Sequence, residues 1–152
     1  MFQTVDGYWK AIMEAGTADP QVLAVVQIPQ ILERLQEANT LLEKIQKGLN
    51  DYLETKRAAF ARFYFLSNDE LLEILSQTKD PLLVQPHLGK CFEGIAKCTF
   101  RNGAEDLAQV ISQEGEVIDL VEPIHPLRGK NKGNVENWMV ELEQMCWDTI
   151  KT

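Results

Sequence analysis

No cysteine in this chain has a C-x-x-C companion, and the three present, Cys91, Cys98 and Cys146, make an odd number. Neither a disulfide framework nor a structural zinc site is suggested, and a reducing compartment fits best. Histidine is scarcer still. His87 and His125 are the only two, each beside a proline and without a partner at metal-ligand spacing, so a capping or surface role is expected for both. No run approaches the roughly 18 apolar residues that span a bilayer. The start, MFQTVDGYWK, has no apolar stretch of signal-peptide length, and a soluble, cytosolic protein is the expectation. Basic charge is also in short supply: 15 Lys and Arg face 23 Asp and Glu for a net charge of −8. Phosphate backbones and anionic lipid surfaces would repel such a chain, which makes nucleic acid and membrane poor partners.

Nucleotide chemistry lacks its usual loop. A P-loop reads G-x-x-x-x-G-K-[ST], so that backbone amides cradle phosphate and the lysine meets its outer oxygens. Gly89-Lys90 and Gly129-Lys130 both fail the pattern: Val84 and Ile124 stand at the first glycine position, and Cys91 and Asn131 replace the Ser or Thr. Acids are plentiful but fall on polar faces, where nothing desolvates them for general acid or base work. His87 and Cys91 are four apart on an expected helix, the spacing of an activated thiolate. Cys91 lies on an apolar stripe with Leu88, Phe92 and Ile95, and reads instead as a small buried hydrophobe. No catalytic, cofactor-binding or metal-binding residue is therefore assigned.

What is present is helix pattern. Val5, Tyr8, Trp9, Ile12 and Met13 form an amphipathic stripe ending near Gly16, and Asp19-Pro20 reads as the cap and first residue of a second helix through Val22–Val26. From Ile28 to Tyr52 a heptad seam runs, with Ile28, Leu35, Leu42 and Leu49 on one position and Ile31, Ala38, Ile45 and Tyr52 on the other. Leu32, Leu41 and Leu53 widen it toward a multi-helix bundle. Gly48 marks either a close helix approach or a tolerated surface glycine. The aromatic run Phe60-Ala61-Arg62-Phe63-Tyr64-Phe65 reads as a core anchor in preference to a base-stacking platform.

In FLSNDELLEILSQTKDP, residues 65–81, Ser67 and Glu70 have capping-box spacing, Leu71, Leu72, Ile74 and Leu75 supply the buried face, and Thr78-Lys79-Asp80-Pro81 ends the helix. Pro81 and Pro86 each suit a helix start, and helical spacing continues from His87 to Cys98. The chain then changes character. β-Branched runs flank Ser112-Gln113-Glu114-Gly115-Glu116, which predicts a β-hairpin with Gly115 at a positive φ. Residues 103–123 hold six acids and no Lys or Arg, either a solvated face or a docking surface for a basic partner. The loop PIHPLRGKNKGN clusters Arg128, Lys130 and Lys132, and Asn134 is placed to cap a last helix with Val135, Trp138, Met139, Leu142, Met145 and Cys146 on one face. The expected fold is mainly α: a helical bundle over 1–100 with one long heptad-patterned helix, a small β-hairpin at about 105–121 within 103–123, and a closing helix over 134–150.

Several ordered blocks carry a family likeness. Asn50-Asp51-Tyr52-Leu53-Glu54-x-Lys56-Arg57, then Phe60-x-Arg62-Phe63-Tyr64-Phe65-Leu66-Ser67-Asn68-Asp69-Glu70-Leu71-Leu72-Glu73-Ile74-Leu75, resembles the linker region of dynein heavy chains. Val84-Gln85-Pro86-His87-Leu88-x-Lys90-Cys91-Phe92-Glu93, Ser112-x-Glu114-Gly115-Glu116-x-Ile118 and Gly133-Asn134-Val135-Glu136-x-Trp138 continue the resemblance in order. Its Ser-Asn-Asp-Glu and Thr-Lys-Asp-Pro wording is more similar to the axonemal branch than to the cytoplasmic one. Ala61 departs from the family's proline and Gly89 from its common basic residue.

The resemblance implies a single piece of the linker, a lever made of stacked helical bundles lying across a ring of six AAA+ modules and moving as ATP is turned over. It implies no cofactor in these residues, since ATP and magnesium belong to the ring of the full-length chain. Its implied partners are the rest of the heavy chain, the dynein complex subunits and, through the whole motor, microtubules of the ciliary or flagellar axoneme. The hairpin at Val110 to Val121 and the loop from Pro123 to Gly133 are expected to contact the ring or neighbouring bundles. The competing reading is a free-standing helical adaptor that binds a partner helix through the heptad seam. A nucleotide-binding or tubulin-binding enzyme comes third.

Overall fold

Helix α1, Phe2–Ala18, follows the amphipathic stripe two residues past its expected end near Gly16. The second helix begins later than Asp19-Pro20 suggested. Asp19 accepts the Gln21 amide through its side chain at 3.1 Å, so the proline sits inside an Asx-type turn and α2 occupies Val22–Val26. Gln30 takes a φ of 60°, and the heptad helix α3 starts after it as Ile31–Ala59, 29 residues long. A Cβ at Gly48 would meet nothing within 4 Å, which decides for the tolerated surface glycine. This computed structural model describes residues 1–76 and 79–152.

The chain divides into two compact units, 1–52 and 53–152. In the first, the aromatic ring of Tyr8 carries the Arg34 guanidinium 5.8 Å from its centroid, and its hydroxyl donates to Glu37 at 2.8 Å. Ala38 is its one buried residue. The seam positions Leu35, Leu42 and Leu49 remain exposed.

The second unit holds the core. Phe60 leaves helical geometry at φ −140°, and Ala61–Phe65 makes a 3₁₀ turn that drives Phe60 and Phe63 inward, edge to face at 5.0 Å. Tyr64 and Phe65 point outward, so the aromatic run is an anchor at two positions of its four. Helix α4, Asn68–Ser76, begins with the expected capping box: Ser67 Oγ accepts the Glu70 amide at 3.3 Å, and Glu70 Oε2 accepts the Ser67 amide at 3.0 Å. Of its expected stop, Thr78-Lys79-Asp80-Pro81, Thr78 lies outside the described residues, and the chain is out of the helix at Asp80. Asp80 then accepts the Leu82 amide at 3.0 Å to open a 3₁₀ turn at Pro81–Val84, which runs into α5, Gln85–Cys91.

Helical spacing beyond Cys91 proves misleading. Phe92 is extended at φ −131°, α5 stops, and Lys97–Arg101 forms strand β1 where a helix to Cys98 was expected. Strands β2, Asp106–Ile111, and β3, Val117–Ile124, form the predicted hairpin, with Ile111 opposite Val117 and Gly115 at φ 89° in the turn. The sheet is antiparallel in the order β1-β2-β3. Side chains occupy hydrogen-bonding groups along both outer strands. The Gln85 amide takes both polar groups of Cys98, donating to its carbonyl at 2.5 Å and accepting its N–H at 2.9 Å, and Thr149 Oγ1 accepts the Val121 N–H at 3.2 Å.

Helix α6, Val135–Lys151, closes the unit on β3, burying Val135, Trp138, Met139 and Leu142 as its spacing predicted. Asn134 occupies the cap position without capping the helix: its side-chain amide donates back to the carbonyls of Lys130 and Lys132. Among the described residues no helix is long and apolar enough to cross a membrane.

Candidate functional site

The residues that could have carried chemistry are set to work in the packing. Cys91 is 1% exposed, and burial pushes its thiol up to about 11, so it is held protonated. Cys98 is pushed up to about 12 by burial, and Cys146 is raised for the same reason. His87 is buried, against its expected capping or surface role, with Nε2 3.4 Å from Glu73 Oε2. His125 sits with Nδ1 2.6 Å from Asp106 Oδ1. The Asp106 carboxyl is held below its ordinary range, first by Asn102 and then by His125. Among the described residues no three His, Cys, Asp or Glu are grouped to hold a metal.

Nor does either Gly-Lys pair form a phosphate cradle. Gly89-Lys90 lies inside the short helix α5, and Lys90 pairs with Glu70. Gly129-Lys130 lies in a 3₁₀ turn at Gly129–Asn131 whose Lys130 carbonyl is taken by Asn137 at 2.7 Å. Neither offers a strand, a glycine loop and a long helix start in succession.

One feature has the form of a binding surface, and it was not anticipated. An apolar groove of about 340 Å³ opens between the sheet and the last turns of α6. The sheet contributes Val110, Ile118 and Leu120; the segment after α5 contributes Phe92 and Ile95; α6 contributes Cys146, Trp147 and Ile150. Trp147 is 56% exposed and Ile150 75%, so two large apolar side chains stand in water at its edge. Arg62 braces one wall. Its guanidinium lies 5.0 Å from the Phe92 ring centroid, donates to the Cys91 carbonyl at 3.1 Å, and pairs with Glu143 at 2.8 Å.

Five of the six acids in the acidic stretch divide into two parts. Glu105 meets Arg128 at 2.5 Å, Asp106 meets His125, and Asp119 lies 3.7 Å from Arg101 and accepts from Gln109 at 2.8 Å. Those three acids fasten the sheet and the loop after it. Glu114 and Glu116 project instead from the hairpin turn, next to Ser112 on the groove lining, and Gln113 ties that turn to the Glu93 carbonyl at 3.1 Å. The 123–133 loop is held as well: buried Asn131 donates to the His125 carbonyl at 3.2 Å and to Glu141 at 2.6 Å.

Comparison with known proteins gives a consistent result. The family described as "Dynein heavy chain, N-terminal region 2" matches residues 1–152. The chain is 56% identical over 150 residues to dynein axonemal heavy chain 3 of Mus musculus, covering 99% of this chain and 4% of that one. It is 53% identical over 150 residues to dynein axonemal heavy chain 12 of the same species, covering 99% and 5%. With dynein axonemal heavy chain 1 of Mus musculus it shares 48% over 143 residues, covering 94% and 3%. The chain thus spans about one twentieth or less of the length of these relatives.

Proposed function

The chain belongs to the dynein heavy chain family, in its N-terminal region 2, and from that membership we propose that residues 1–152 form part of the linker of an axonemal heavy chain. The observation that carries the reading is the unbroken match over all 152 residues to axonemal relatives. In this role the segment is a stiff joint in a lever that moves over an ATP-hydrolysing ring, within a motor that works on microtubules in the axoneme. Nucleotide and magnesium are bound elsewhere in the heavy chain.

The architecture suits a lever. A 29-residue helix is about 44 Å long at 1.5 Å per residue, and it is rooted by Leu53 in a well-packed core. Its exposed seam leaves apolar surface for neighbouring helices of the same stack. The hairpin at 110–121 and the loop at 123–133 are the places where contact with the ring or with adjacent bundles is expected. Cross-linking of the intact motor, trapped in two nucleotide states, tests this: contacts from both segments that differ between the states are expected. Finding both segments free of contacts in each state would sink the reading.

A further inference from the structure

We propose that the groove between the sheet and α6 seats a basic, amphipathic helix belonging to the same heavy chain outside residues 1–152. The inference rests on the reading of this chain as a piece of a longer heavy chain, and it adds the chemistry of one partner segment and the surface that receives it. At about 340 Å³ the groove lies at the small end of the range for binding pockets, which suits one or two large apolar anchors from a helix face. Its floor is apolar, and exposed Trp147 and Ile150 extend it along α6.

Charge gives the partner its sign. Arg62 is already engaged by Glu143, while Glu93 lines the rim and Glu114 and Glu116 stand on the adjoining turn. The one cation ending the same helix is Lys151. A segment with Lys or Arg flanking its apolar anchors is matched to that rim, and an acidic one is repelled. Strand addition is disfavoured, because Gln85 and Thr149 already occupy backbone groups on the outer strands; a helix needs no free strand edge. The source follows from length. The matched relatives carry most of their chain outside this region, and a tethered segment meets the groove at the high effective concentration that a separate protein lacks.

The test is made on the full heavy chain with a photo-reactive benzoylphenylalanine replacing Trp147, an exposed aromatic whose exchange leaves the core untouched. Irradiation followed by peptide mapping is expected to give one dominant cross-link, to a peptide of the same heavy chain with basic residues flanking apolar ones at helical spacing. Adding Glu93→Lys and Glu114→Lys, both exposed, is expected to lower its yield about threefold at moderate salt, in line with two rim pairs. Capture of a separate polypeptide, of a second copy or of an acidic segment overturns the proposal, as does an irradiated chain with no polypeptide captured. The lever reading is judged separately, by whether contacts of the 110–121 and 123–133 segments change with nucleotide. A groove cross-link that is the same in both states leaves the groove assignment standing even where no contact of those segments changes with nucleotide, because the groove already includes Val110, Ile118 and Leu120 of the first segment.

Discussion

Residues 1–52 and 53–152 are both rich in apolar side chains, yet they use them in opposite ways. The first unit buries Ala38 alone and leaves Trp9, Met13, Val22, Leu23, Leu32, Leu35 and Leu42 more than 40% exposed. The second places every member of the core cluster, from Leu53 to Leu142. Apolar content alone therefore does not make a core. The segments around the second unit's helices turn back on themselves through caps, 3₁₀ turns and a hairpin, whereas α1, α2 and α3 present stripes with little opposite them. The seam positions Leu35, Leu42 and Leu49 stay exposed, so a heptad period alone does not bury a helix face, and the well-packed core belongs to the second unit.

The largest test of that contrast removes equal side chains from the two units. Leu142 is fully buried and Leu42 is 41% exposed. Leu142→Ala is expected to lower the stability of its unit by about 3 kcal/mol through lost burial and a residual cavity, and Leu42→Ala to cost less than about 1 kcal/mol. Denaturant unfolding followed by the fluorescence of Trp138 reads the first, and backbone circular dichroism the second. Similar costs at the two sites would show that 1–52 has a core of its own and would break the comparison.

Ion pairs sharpen it at a smaller scale. Lys56 pairs with Glu136 at 2.5 Å with side-chain exposures of 19% and 9%, and the second Glu136 oxygen is buried without a partner. Lys10 pairs with Asp6 at 2.7 Å with exposures of 68% and 41%. Removing Lys56 strands a buried carboxylate, so Lys56→Met is expected to cost about 2 kcal/mol, whereas Lys10→Met is expected to cost less than about 0.5 kcal/mol. Thermal unfolding of the two variants side by side decides it, and equal shifts would count against the burial argument.

Much of this was readable from local rules and some was not. Ser67 with Glu70, Pro81 and Pro86 at helix starts, Gly115 in its turn and the α6 face each depend on residues within a turn or two of one another, and each appears as read. Strand β1 escaped because Leu88, Cys91, Phe92 and Ile95 hold helical spacing up to its doorstep. The signal against it was Cys98-Thr99-Phe100, a short β-favouring run after Gly94. His87 was assigned to a cap or the surface because burial depends on what packs over α5, which one-dimensional spacing does not contain. The groove was least legible. Its walls come from residues 62, 92–95, 110–120 and 143–150, and each wall read separately is an ordinary core stripe. The acidic stretch was visible as a block, but only its pairing shows that Glu105, Asp106 and Asp119 are fasteners while Glu114 and Glu116 lie beside the groove.

The smallest expected effect concerns how helices are started. α1 and α2 have no side-chain cap, while α4 has a capping box reinforced from α5, because Glu70 binds the Lys90 ammonium as well as the Ser67 amide. Lys90 first and Ser67 second hold the Glu70 carboxyl down to about 2, against an ordinary 4.5. A carboxyl whose pKa is depressed in the folded state contributes stability that is fully present above about 4.5 and is lost as pH falls through about 2. The group is exposed, so solvent and salt screen the effect and its contribution is small. A carboxyl-detected NMR titration is expected to place the Glu70 midpoint near 2, and Lys90→Met is expected to move it upward toward 4.5 while leaving the Ser67 contact in place. The stability difference between the wild type and Glu70→Gln should correspondingly shrink between pH 4.5 and 2 and stay level above that window. A wild-type midpoint raised only part of the way from about 2 toward 4.5 would mean that the bridge from α5 does not form in solution, and the capping box would then rest on Ser67 and Glu70 alone.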